Sequence, residues 1–333
     1  MGGDHGPKVT VRAAQKALQF SPDIELVLVG QQSVLEQQLQ SLGLADEKRI
    51  RVHHASEIVA MDEAPAVALK RKKDSSMRVA INLVKQGEVD ACVSAGNTGA
   101  LMATSKFVLK TIPGINRPAI CTALPTSDGH THMLDLGANI DCTAEHLLQF
   151  AIMGSVLAQS VDENPTPTIG LLNIGSEAMK GNETVKAASQ LLEKTSLNYI
   201  GFIEGDDIYT GKVDVVVSDG FVGNVSLKTA EGVAAMVNSV LKNAFKKNLL
   251  SKLAALIALP VLNSVRQTLD PRKYNGASLL GLNGIVIKSH GSADIDSFFN
   301  AIKIAIIEID KSVPDRIGQE VEQYLPPAED KIA

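Results

Sequence analysis

Tryptophan is absent from this 333-residue sequence, and aromatic residues make up only 4% of it. A surface that stacks nucleobases needs aromatic faces, so their scarcity argues against single-strand binding. A formal net charge of −5 argues against nucleic acid in general. Cysteine is also scarce. Cys92, Cys121 and Cys142 stand far apart with no CxxC spacing, which excludes a paired zinc framework and fits a reduced, cytosolic protein. There is no recognisable secretory signal and no apolar run long enough to span a bilayer. There is no P-loop, no full GxGxxG after a strand and no GxSxG elbow. Nucleotide binding and a serine nucleophile are therefore without a motif.

The residues that are present make a core. Hydrophobic residues are 45% of the chain and charged residues 21%, close to an ordinary globular protein. Apolar runs recur, each closed by small or polar residues. They are "IELVLVG" (24–30), "RIRVHHAS" (49–56), "DACVSAG" (90–96), "PAICTALPT" (118–126), "HMLDLGAN" (132–139), "TIGLLNIGS" (168–176), "NYIGFIEG" (198–205), "VDVVVSDG" (213–220) and "GIVIKSHG" (284–291). They read as strands, several covered on both faces. Helical patterns follow Gly99, Asp141 and Asn182. Alternating strand and helix predicts a layered α/β fold with a mostly parallel sheet.

One stretch, 225–270, lacks any strand signal and reads as a helical excursion. Val233, Met236, Val237, Val240, Leu241, Ala244 and Leu249 fall at helical spacing. The following "LLSKLAALIALPVL" (249–262) is apolar almost throughout. At about 1.5 Å per residue it reaches roughly 20 Å, short of a ~30 Å hydrocarbon core. It is expected to be a buried or dimer-forming helix, or one that touches a membrane surface.

Strand ends carry the candidate chemistry. "SAGNTGA", "DLGANID", "NIGSEAMKGNE", "SDGFVGN" and "KSHGSAD" each place glycine with Ser, Thr, Asn or Asp after a strand. Ligands bind at such ends in open α/β sheets, and helix N-termini there favour anions. Lys288 and His290 stand two apart, able to share a face and orient an anion, although a surface lysine and a capping histidine would read the same way. Lys180 is a lone loop lysine. Cys92 and Cys121 lie in strands as small buried hydrophobes, and Asp141 is expected to raise the Cys142 thiol. His53 and His54 split across a strand, while His130 and His132 read as solvent-exposed residues flanking a turn. "LKRKKDSSM" (69–77) concentrates Lys70, Arg71, Lys72 and Lys73, a solvated face or a docking patch for an acidic partner. "MGGDHGP" reads as a strand-to-helix loop with Pro7 in the first helical turn.

Taken together, "MGGDHGP", "KKDSSM", "CVSAGNTGALM", "RPAI", "LDLGAN", "QFAIMGSV", "LLNIGSE", "KGNE", "SDGFVGNVSLKTAEG", "YNGASLLGL" and "VIKSHGS" run in one order over nearly the whole chain. In this the sequence resembles the PlsX family of acyl-ACP:phosphate acyltransferases. The resemblance implies a single intertwined domain over 1–333 with a three-layer α/β/α architecture, akin to phosphate acetyltransferase and isocitrate dehydrogenase. It also implies a cytoplasmic homodimer peripherally associated with the inner face of the membrane. The implied partners are acyl carrier protein, inorganic phosphate and a downstream glycerol-3-phosphate acyltransferase, with no metal or organic cofactor. Phosphate is itself the nucleophile in this reaction, so the protein needs anion and oxyanion contacts rather than a Ser or Cys. Lys180, Lys288 and His290 are the candidates for those contacts. Asp4, Gly96, Asn97, Thr98, Gly99, Asn139, Asp219, Asn224 and Ser292 are the candidates for lining the site, and Lys70–Lys73 for docking the carrier. In the family the opening loop follows an apolar strand, so a strand of about 5–10 residues is expected ahead of Met1. A nicotinamide-dependent dehydrogenase on a related fold and a non-catalytic carrier-protein scaffold are the alternatives.

Overall fold

The structure is a computed structural model that describes residues 1–268 and 270–324. The first half of the chain runs α1 (Pro7–Phe20), β1 (Leu26–Gly30), α2 (Gln32–Ser41), β2 (Ile50–His54), α3 (Pro65–Arg71), α4 (Ser76–Lys85), β3 (Ala91–Ser94), α5 (Thr98–Leu109), β4 (Ala119–Pro125), β5 (His130–Leu134) and α6 (Ala144–Val161). The second half runs β6 (Ile169–Leu172), α7 (Glu183–Leu192), β7 (Tyr199–Ile203), β8 (Val215–Val217), α8 (Gly220–Lys246), α9 (Leu249–Thr268), β9 (Ala277–Leu280), β10 (Ile285–Lys288), α10 (Ile295–Asp310) and α11 (Val313–Tyr324).

The main sheet has eight strands in the order β3-β10-β9-β4-β5-β8-β6-β7. Pairing is parallel within β3-β10 and along β5-β8-β6-β7. It is antiparallel at β10-β9, β9-β4 and β4-β5. Those three reversals have a consequence for function. The β3 and β10 strands run opposite to β5, β8 and β6, so the two sets of strand ends lie at opposite edges of the sheet. The predicted loops therefore form two groups rather than one. Strand β9 carries no strand signal of its own, because its four residues, ASLL, lie close to Gly276 and Gly281.

Helix α6 is the centre of the core. A capping box between Thr143 and His146 starts it, which satisfies two end amides reciprocally. Leu147, Phe150, Ala151, Ile152 and Met153 on it pack with Leu134, Ile169, Val215 and Val217 of the sheet. Helix α8 starts at Gly220, five residues before the expected excursion, because Asp219 caps it: its Oδ1 accepts from the Val222 amide at 2.8 Å.

Strands β1 and β2 form a separate parallel pair. Between β1 and β3 lies a cavity of about 810 Å³, lined by Leu26–Val29 on one side and Ala91–Gly96 on the other.

Candidate active site

Three loops meet at the ends of β3 and β10. The Ser289 amide donates to the Ser94 carbonyl at 2.9 Å, and the Asp4 amide to the Gly291 carbonyl at 2.8 Å. This joins the loop that opens the chain to the loops that carry Gly96 and His290. Lys288 ends β10, with its side chain buried and its ammonium donating to the Ser289 carbonyl. Burial lowers its pKa to about 8; the negative charge of Asp4 opposes that shift and the positive charge of Lys228 adds to it. A lysine with a buried stem and donors to spare is suited to holding an anion.

His290 is exposed, and its Nδ1 lies 2.7 Å from Ser292 Oγ and 3.2 Å from the Ser292 amide, which donates to it. An Nδ1 that accepts an amide proton leaves Nε2 as the protonated nitrogen of the neutral ring. Asn275 Oδ1 fixes the loop by accepting from the His290 amide at 2.9 Å. Asn97 caps α5 by accepting from the Ala100 amide at 2.9 Å, and its Nδ2 donates to the carbonyls of Met61 and Glu63 at 2.8 and 3.0 Å. Asn97 thus orders the loop and leaves Thr98 and Gly99 exposed at the α5 N-terminus. An exposed helix N-terminus offers amides to an anion.

The second group sits at the ends of β5 and β8, around Asp135. This carboxylate is fully buried and accepts from the Ile120, Ala138 and Asn139 amides and from Asn139 Nδ2, at 2.7–3.1 Å. Burial still raises its pKa despite those bonds. Asn139 also donates to the Pro118 carbonyl at 2.8 Å and accepts from the Gly220 amide at 2.8 Å. The fit admits no side chain: a Cβ at Gly220 would lie 2.6 Å from the Asn139 carbonyl oxygen. Asn139 and Asp219 therefore anchor the start of α8, and Asn224 lies beside Gly137. Lys180 sits in a third loop, after β6, with its ammonium 3.8 Å from Glu177. No contact among the described residues ties it to Lys288 or His290.

Lys70 and Arg71 occupy the last turn of α3, Lys72 caps it, and Lys73 follows. Lys70, Arg71 and Lys73 are exposed, while Lys72 Nζ donates to the Ile58 carbonyl at 3.1 Å. Helix α3 packs on α5, so this basic run lies one helix away from Thr98.

The cysteines are not nucleophiles. Burial pushes Cys92 up to about 12 and Cys121 well above the ordinary thiol value. Burial also raises Cys142, to about 11, and the carboxylates that add to the shift are Asp135 and Asp219 rather than the expected Asp141.

The family model described as "Fatty acid synthesis protein" matches residues 1–316. The chain belongs to this family. It is 62% identical over 319 residues to the phosphate acyltransferase of Methylococcus capsulatus, covering 96% of this chain and 94% of that one. It is 59% identical over 325 residues to the phosphate acyltransferase of Alkalilimnicola ehrlichii, covering 98% and 95%. Among solved structures, a phosphotransacetylase from Streptococcus pyogenes superposes with a TM-score of 0.64 at 19% identity over 91% of both chains. The EutD phosphotransacetylase from Staphylococcus aureus gives 0.62 at 16% identity over 92% of both. These two share the expected fold.

The sequence pattern misplaces one histidine pair. His130 and His132 lie on β5, not around a turn, and His132 is buried. Their Nε2 atoms lie 3.0 and 2.7 Å from the two oxygens of Asp162. Burial works to raise Asp162, but these bonds outweigh it and hold the carboxyl well below its usual range. The trio has a donor set that could hold a cation. As it stands, it is a hydrogen-bonded clasp between β5 and the end of α6. Asp135 carries little signal in the sequence, where it is an acid at the end of an apolar run.

Proposed function

We propose that this family member, a phosphate acyltransferase, transfers a fatty acyl group from acyl carrier protein to inorganic phosphate, with the chemistry at the ends of β3 and β10. The observation that carries this reading is the meeting of buried Lys288, the His290 ring and the exposed α5 N-terminus within one set of tied loops. A phosphate held there attacks the thioester carbonyl. The new O–C bond forms, the carbonyl becomes an oxyanion, and the C–S bond then breaks to give acyl phosphate and the carrier thiol. Amides and Lys288 stabilise the developing charge, and His290 Nε2–H is a donor for the oxyanion or the leaving sulfur. A thiol with an ordinary pKa near ~8.5 leaves with little help.

The remaining candidates have roles around this centre. Asp4, Gly96, Asn97, Thr98, Gly99 and Ser292 shape the anion site; Asn139, Asp219 and Asn224 set the start of α8; Lys180 borders the second edge. Lys70–Lys73 dock the acidic carrier by steering that weakens with salt. Helices α8 and α9 pack into a hairpin that exposes Val233, Met236, Val240, Leu253, Leu256 and Ile257. Apolar surface of that extent supports contact with a second copy and with a membrane surface. No helix among the described residues is long and apolar enough to cross a membrane. The acyl phosphate would pass to a glycerol-3-phosphate acyltransferase.

The test is to supply acyl-carrier-protein thioester and phosphate and to look for the acyl phosphate by its phosphorus NMR signal. A scaffold would bind the carrier and give no such signal. No observation favours the dehydrogenase alternative.

A further inference from the structure

Helix α8 links the two groups of loops. It begins where Asp219 and Asn139 fix it, at the edge where β8 ends. Strand β10 runs opposite to β8, so a helix folding back from β8 travels toward the edge where Lys288 lies. Lys228 stands nine positions beyond Asp219, a rise of about 13 Å, the length of a four-residue strand at ~3.3 Å per residue. Leu227, next to Lys228, packs on the cluster of Ile120, Leu124 and Met133. Ala277 packs on the same cluster and is the cross-strand partner of Lys288.

We propose that Lys228 is a second phosphate-binding cation, delivered by α8 to the anion site of Lys288. This rests on the phosphate acyltransferase reading and adds a substrate-binding residue to it. The neighbouring Leu227 anchors the helix, and Glu231 holds the Lys228 ammonium at 2.7 Å in a half-exposed ion pair. Such a pair is weak and exchanges readily for a stronger anion. The positive charge of Lys228 adds to the lowering of the Lys288 pKa that burial causes. Two ammonium groups within range of each other repel, and a doubly charged phosphate between them removes that repulsion. The site is then assembled from both halves of the sheet, with the Asp135–Asn139–Gly220 anchor setting where the second cation falls.

The experiment is Lys228→Gln, which keeps most of the stem and removes the charge, assayed with phosphate varied at saturating acyl carrier protein thioester. The expected result is a rise of at least about tenfold in the phosphate KM, with the KM for the thioester within about twofold of wild type. Lys228→Arg should recover most of the loss. Lys242→Gln, on an exposed position further along the same helix, should behave as wild type. A second readout needs no turnover: inorganic phosphate should raise the melting temperature of wild type and raise that of Lys228→Gln less. A wild-type phosphate KM in Lys228→Gln overturns the placement, as does a fall in kcat alone. If wild type makes no acyl phosphate, the functional reading fails instead, and the phosphate-induced melting shift still decides the role of Lys228.

Discussion

The Asp4 amide and the Gly291 carbonyl are 2.8 Å apart, and this bond holds the first loop of the chain against the loop of Lys288 and His290. Gly3 makes the approach possible. Its φ is +87°, and a Cβ there would lie 3.1 Å from Ala95 Cβ and 3.2 Å from the Gly291 carbonyl oxygen. Gly3→Ala is expected to cost about 1–2 kcal/mol in backbone strain. Because the strain falls on the anion site, kcat/KM for phosphate should drop several-fold while the melting temperature moves by only a few degrees. Kinetics and thermal melts on the same preparation check this; unchanged kinetics would separate the loop from the site.

The proposed role of Lys288 in phosphate binding predicts a pH limit on phosphate use. With burial holding its pKa at about 8, the ammonium is charged below that pH and neutral above it. Since the cation binds the anion, kcat/KM for phosphate should fall as pH rises through about 8. Lys288→Arg should push that fall to higher pH, and Lys288→Ala should lower kcat/KM by at least about tenfold. A flat profile between pH 7 and 9 in wild type would remove Lys288 from phosphate binding.

Glu308 controls stability rather than activity. Its carboxyl is buried against Ser278, and burial pushes its pKa from the ordinary 4.5 to about 7. The folded protein thus favours the protonated acid. The stability that this provides is full below about pH 4.5 and is lost as pH rises to about 7, a change on the order of 3 kcal/mol. Denaturant melts of Glu308→Gln should show less decline between pH 5 and 8 than wild type. Equal slopes for the two proteins would mean that Glu308 titrates normally.

The layered fold was legible because β6, β8 and β10 are short, fully buried apolar runs whose glycine-rich ends announce turns. The sheet reversal was not legible. Whether β4 meets β5 and β9 antiparallel depends on which distant strand lies alongside, and neither ASLL nor its flanking glycines encodes that. The same limit applies to the site. Lys288 and His290 are close in sequence and stand out, whereas Lys228, the proposed second cation, lies on a helix that starts at the opposite edge. Asn97 and Asn139 read as site-lining groups; the Asn97 side-chain amide donates to the Met61 and Glu63 carbonyls, and that of Asn139 to the Pro118 carbonyl and the Asp135 carboxylate. His132 read as exposed because its partner, Asp162, lies thirty residues away.

The α9 face gives a separate prediction. Leu256 and Ile257 are 63% and 75% exposed, and Lys252 on the same helix would favour anionic headgroups. Leu256→Asp with Ile257→Asp should release the protein from anionic vesicles in a flotation assay and leave activity on dissolved substrates largely intact. Loss of folding would show instead that this face is core.

The central claim is phosphate-driven transfer from a carrier thioester. The decisive measurement mixes the purified protein, acyl carrier protein charged with a fatty acyl group, and inorganic phosphate, and follows carrier thiol and acyl phosphate together. The two products are predicted to appear in equal amounts, with no thiol released when phosphate is left out. Thiol release that is independent of phosphate, or carrier binding with no release at all, would contradict the account.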